Sequence, residues 1–153
     1  MWERAGLAGA PMVLRLLAAS FFVAFCVTAH AVGVTAAVRW LARWAPKTSM
    51  SFWHETRLFV LLAGWIILLH LVEVGAWALL YAWRGAMPSL QAAAYFSGVT
   101  YTTTGYGDLV LPEPWRLVGA IEALTGILMC GWSTGFFFLI VSRRFMADSE
   151  SRR

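Results

Sequence analysis

Thr103-Thr104-Gly105-Tyr106-Gly107-Asp108 is the stretch whose reading decides the rest of this chain. Two glycines flank a tyrosine and threonines precede them. Glycine accepts backbone angles that side chains penalise, so such a segment can turn successive carbonyl oxygens to one side. Carbonyls gathered around an axis can replace the water shell of a small cation. The segment lies between two long apolar runs and follows a short amphipathic one.

Composition places the chain in a membrane. Hydrophobic residues make up 60% and charged residues 13%, with a mean hydropathy of +0.68, far from an ordinary soluble domain. The net charge of +4 is not a nucleic-acid footprint, because the basic residues cluster at the ends of apolar runs. Cys26 and Cys130 fall inside apolar segments and read as small packing residues rather than a disulfide. His30, His54 and His70 are dispersed, and no metal-ligand spacing or catalytic constellation is visible. The chain therefore does not read as an enzyme and calls for no cofactor.

Three runs are long enough to cross a hydrocarbon core that takes about 20 helical residues: about Leu16 to Val38, Leu58 to Trp83 and Leu117 to Ser142. Thr28-Ala29-His30-Ala31 has the look of a signal-peptide cleavage site. The apolar run continues past it to Val38, however, so a retained helix is expected. Arg39, Arg43, Lys47 and Arg57 follow the first run, and Arg143, Arg144, Arg152 and Arg153 follow the third. The positive-inside rule puts both segments in the cytoplasm. The amino terminus and the segment from Arg84 to Arg116 are then outside, with the carboxyl terminus cytoplasmic, in a protein integral to the cell (inner) membrane. Residues 1–56 read as a first helix with a basic linker, 57–144 as the central module and 145–153 as a short tail that frays.

Between the second and third runs, Met87-Pro88-Ser89 reads as a helix start with Pro88 at the first helical position. A helix from Ser89 to about Tyr101 spans roughly 20 Å at about 1.5 Å per residue. That is too short to cross, so it reads as re-entrant. Non-helical backbone at membrane depth survives where protein buries it or it lines a wet cavity, as Thr103 to Gly107 would.

The order outer helix, short helix, Thr-Thr-Gly-Tyr-Gly-Asp, inner helix resembles the pore module of the two-helix bacterial potassium channels, from roughly Leu58 to Arg144. The resemblance implies an all-α membrane protein with three transmembrane helices per chain, a re-entrant pore helix and a selectivity filter. It further implies four such chains around a central pore, a homotetramer in lipid that conducts potassium passively. Thr103, Thr104, Gly105 and Tyr106 would hold the ion with Gly107 at the outer mouth. Tyr106 would point into a cuff formed by Tyr95 and Phe96, and Asp108 matches the acidic residue outside the filter. Gly126 and Gly131 match the family's hinge glycines, with close helix packing as the alternative reading. Ile127, Cys130 and Thr134 would line the cavity below the filter.

The sequence departs from the pattern in places. Thr104 stands where valine is usual, and its hydroxyl needs a partner. Val99 takes a position where some bacterial members carry a glutamate. Glu73 and Glu122 lie within spans, where an unpaired carboxylate costs several kcal/mol. Glu122 is expected either to brace the back of the filter region or confer pH sensitivity, or to pack protonated. Glu73 is expected to pair with His70 or a neighbouring subunit or to pack protonated. His30 is expected to pack and hydrogen-bond locally, and the first helix to be a peripheral packing helix. Arg39 and Arg43 read as membrane anchors rather than a voltage sensor. Two alternatives stay open: a weakly selective sodium and potassium channel, and a non-conducting accessory or transporter subunit.

Overall fold

The computed structural model describes residues 11–44 and 51–151. Among these the fold is all-helical: α1 Met12–Trp44, α2 Phe52–Trp83, α3 Leu90–Tyr101, a short 3-10 turn Glu113–Trp115, and α4 Arg116–Ser151. Three helices are long and apolar enough to cross a membrane, within Met12–Arg43, Phe52–Trp83 and Glu113–Arg144. Lys47, Arg152 and Arg153 lie outside the described residues.

Local chemistry sets the helix ends. Two hydrogen bonds close α2, from the Ala86 N–H to the Tyr81 carbonyl at 2.9 Å and from the Gly85 N–H to Ala82 at 3.1 Å. This is a Schellman motif, and it needs the left-handed φ of 64° at Gly85. At the start of α3, Ser89 is the cap and its Oγ accepts from the Ala92 N–H at 3.1 Å. Pro88 therefore precedes the cap instead of opening the helix, because the serine oxygen satisfies an orphan donor that proline cannot. The expected frayed tail is also corrected, since α4 runs on to Ser151. Residues 143–151 hold several good helix formers and no Gly or Pro to stop them.

The first helix packs against α2 and α4 along one face. Ala19, Cys26, His30 and Ala37 are buried along one stripe of it. Its start meets the start of α4, where Arg15 Nη1 donates to the Pro114 carbonyl at 3.0 Å and the guanidinium sits 5.9 Å from the Trp115 ring centroid. Farther along, the Trp65 indole N–H of α2 donates to the Gly33 carbonyl at 3.0 Å. The beginnings of α1 and α4 thus share one end of the bundle. Tyr81 of α2 is the aromatic centre, edge-on to Phe96 at 5.5 Å and to Trp115 at 6.4 Å. Such pairs contribute about 0.5–1.5 kcal/mol each beyond buried area.

In lipid, helices associate through small residues and polar contacts more than through the hydrophobic effect. The closest such approach is at Gly126 of α4, where an added Cβ would lie 1.9 Å from the Tyr101 carbonyl oxygen. No side chain fits there. Replacing Gly126 with Ala is expected to destabilise the chain by about 1–3 kcal/mol through overpacking, read as a lower thermal midpoint in detergent. Gly131→Ala, where a Cβ meets nothing within 4 Å, is the control, and equal midpoints for the two variants would refute the contact.

Candidate functional site

The segment after α3 carries an alternating backbone. Thr103, Gly105 and Gly107 have φ of 59°, 55° and 76°, while the residues between them do not share the left-handed region. Alternation of this kind directs successive carbonyls to one side of the strand. The glycines accept it freely. Thr103 does not, because a β-branched residue at positive φ is strained by about 1–3 kcal/mol. Sequence reasoning assigned the unusual angles to the glycines and missed Thr103, whose side chain gives no hint of them.

The carboxyl end of α3 holds this backbone in place. The Thr103 N–H donates to the Thr100 carbonyl at 2.9 Å, and the Thr104 and Gly105 N–H groups both reach the Val99 carbonyl, at 3.0 and 3.2 Å. The Thr104 hydroxyl has its partner in Thr102 Oγ1 at 3.0 Å. Residues 102–108 are exposed on this chain, and Tyr106 is 72% exposed.

Tyr95 and Phe96 point to different places. The Tyr95 hydroxyl donates to Asp108 Oδ2 at 2.7 Å, tying α3 to the end of the exposed segment. Phe96 is buried instead against Tyr81, so within one chain it forms no cuff with Tyr106. The hydrogen bond from Tyr95 holds the Asp108 carboxyl below its ordinary range, and the same bond pushes the Tyr95 phenol up.

Glu122 sits behind α3, fully buried. It meets Ser97 through Oε1 and accepts from the Tyr81 hydroxyl at 2.7 Å through Oε2. Ser97 Oγ also contacts the Val74 carbonyl at 2.9 Å. The single serine hydrogen is shared between these two acceptors. Glu73 keeps its expected neighbour His70, whose Nδ1 lies 3.8 Å from Oε2, but closer partners join it. Its direct partners are His30 Nδ1 at 2.9 Å and the Tyr101 hydroxyl. His30 is likewise bonded across helices rather than locally. The dispersed histidines converge in part: His30 and His70 stand 5.3 Å apart by ring centroid, and their donor atoms with those of Glu73 lie within 4.8 Å of one another. No spacing along the chain could reveal this, because His30 is supplied by a separate helix.

On α4, Ile127 and Thr134 are exposed and Cys130 is half-buried. Cys130 and Thr134 border an open groove of about 590 Å³ together with Ile66, His70, Ser133 and Phe137. The Thr134 hydroxyl donates back to the Cys130 carbonyl at 2.8 Å. Gly126 faces the Tyr101 backbone, the packing alternative to a hinge, while Gly131 faces open space.

A family profile described as ion channel matches residues 56–143, more than half of the chain. The chain belongs to this ion-channel family. The match includes α3, the segment 102–108 and α4 through Arg143. With three helices able to span a bilayer, the channel is an integral membrane protein. Searches of curated proteins and of solved structures give no significant match.

The Tyr95–Asp108 bond has a defined pH window. A carboxyl held below its unfolded value adds stability above the ordinary carboxylate range and loses it as pH falls through the lower folded value. Tyr95→Phe is expected to return the Asp108 titration upward to the ordinary carboxylate range. A carboxyl-carbon NMR titration of wild type and variant checks it, and coincident curves would refute the bond.

Proposed function

We propose that this channel is potassium-selective and that four copies assemble around a central axis, each contributing residues 103–107 to one filter. The observation that carries the reading is the alternation of positive φ at Thr103, Gly105 and Gly107 in a segment left exposed by its own chain. A strand whose carbonyls face one way, repeated around an axis, forms the oxygen cage that offsets the dehydration of a cation. Thr103, Thr104, Gly105 and Tyr106 hold the ions, and Gly107 forms the outer mouth.

The supporting parts have consistent roles in this reading. The carboxyl end of α3, carrying a partial negative charge, points toward the cavity and favours a cation there. Asp108 and Tyr95 tie the outer end of the filter to α3. Glu122 fixes α3 from behind through Ser97. The open faces of Ile127, Cys130 and Thr134 line the cavity below the filter. The exposed Tyr106 ring packs against a neighbouring subunit, which supplies the contacts its own chain does not. Basic residues around Arg39, Arg43 and Arg143 place the linker and the carboxyl end in the cytoplasm of the cell (inner) membrane, with the amino terminus outside.

Purified protein in liposomes decides between selectivities. Barium-sensitive flux of potassium well above sodium is expected. Equal flux of both ions would favour the weakly selective alternative that Thr104 leaves open, and a silent protein across pH and voltage would favour a non-conducting subunit. Gly105→Ala, which adds a side chain at a φ of 55°, is expected to abolish or scramble selectivity while membrane insertion persists. Unchanged potassium selectivity in that variant would contradict the filter assignment.

A further inference from the structure

Five side chains from four helices close into a ring inside the chain. His30 of α1 places Nδ1 at 2.9 Å from Glu73 Oε1 and Nε2 at 2.9 Å from Ser133 Oγ of α4. The same Ser133 oxygen lies 3.1 Å from His70 Nε2 of α2. His70 Nδ1 is 3.1 Å from the Tyr101 hydroxyl at the end of α3. Tyr101 then meets Glu73 Oε2, which completes the circuit. His30 and Glu73 are fully buried.

Each of these contacts requires one hydrogen, and the supply can be counted. Neutral His30 and His70 bring one N–H each, and Ser133 and Tyr101 one O–H each, while an ionised Glu73 brings none. The closed ring is then one hydrogen short. Where the shortage falls on the buried contacts of His30, Glu73 and Tyr101 rather than the part-buried ones of His70, an unmade contact is costly. One added proton completes the ring and leaves it neutral, whether it sits on the carboxyl or forms an imidazolium. That proton belongs to the ring as a whole rather than to one residue. An open chain of the same groups has no such shortage: without Ser133 or without the Tyr101 hydroxyl, the remaining hydrogens match the remaining contacts.

We propose that this ring is a binding site for a single proton, and that the proton clamps α1 to the carboxyl end of α3. Cys26 of α1 and Cys130 of α4 are the other titratable groups acting on Glu73 and Tyr101, and the Trp132 ring lies 5.5 Å from His30. Glu122 is engaged separately by Ser97 and Tyr81. The spacing of His30, His70 and Glu73 also suits a divalent cation. The Tyr101 hydroxyl bonded to both His70 and Glu73 favours the proton. The site concerns the folded chain and does not depend on the selectivity of the filter.

The test is equilibrium unfolding of the full chain in detergent from pH 7 to pH 9. A folded state carrying one more proton than the unfolded state loses stability as pH rises. The ring should therefore make the unfolding constant grow by about tenfold per pH unit until it releases its proton, beyond a cysteine contribution common to wild type and variants. Ser133→Ala and Tyr101→Phe open the ring without adding charge. Glu73→Gln keeps it closed, because the amide itself supplies the missing hydrogen. All three variants should show a pH slope smaller by one proton. A wild-type slope retained in Ser133→Ala and Tyr101→Phe would reduce the site to a simple His30–Glu73 pair and overturn the proposal. So would a flat wild-type profile. Zinc that stabilises wild type but not Glu73→Gln would assign the site to a metal and overturn it as well.

Discussion

The approach of α4 to the carboxyl end of α3, where Gly126 lies against the Tyr101 carbonyl, is the contact on which the rest depends. Inside a bilayer no water can repair an exposed peptide group. In the proposed pore, a short helix ending at that depth must therefore be fixed by other helices. The missing side chain at Gly126 lets α4 close on the helix end, and Val99 and Thr100 carbonyls then capture the N–H groups of Thr103, Thr104 and Gly105. Donors are thereby directed back into α3, and the alternating backbone of Thr103 to Gly107 is left with its carbonyls for another use.

The buried carboxyls answer the same constraint in two ways. Glu122 joins α4 to α3 through Ser97 and to α2 through Tyr81. Glu73 joins α2 to α1 through His30 and to α3 through Tyr101. Each stabilises helix association where apolar surface contributes little, because lipid tails solvate apolar side chains as well as protein does. Together they hold α3 from two sides. The first helix enters this scheme as the donor of His30, which gives it a structural reason to be packed against α2 and α4.

Much of the fold was legible because its signals are local. Long apolar runs mark the three spans, and Ser89 before a short amphipathic stretch marks α3. Thr-Thr-Gly-Tyr-Gly-Asp marks the irregular segment, since glycines at alternate positions permit backbone angles that a helix or strand does not use. The misreadings were also local in kind. Pro88 and Ser89 are adjacent helix-start signals, and the serine oxygen won because it can bond to the Ala92 N–H. Residues 143–151 read as a tail because they are polar, yet nothing in them breaks a helix. Tyr95 and Phe96, read as one aromatic pair, point about 100° apart as helix neighbours do, so within one chain Phe96 meets the core and Tyr95 meets Asp108.

By itself the sequence determined that this is a membrane protein of three spans with one short helix and an irregular, glycine-permissive segment between the last two. Those properties depend on hydropathy, length and backbone freedom, all carried by consecutive residues. Only the tertiary structure decided that Thr103 shares the left-handed conformation, that Gly126 is a point of helix closure, and that His30, Glu73, Tyr101, His70 and Ser133 form one ring. Each of these depends on which residues distant in the chain come within a few ångströms. A hydrogen bond or a backbone clash is set at that range, and no spacing along a single helix encodes it.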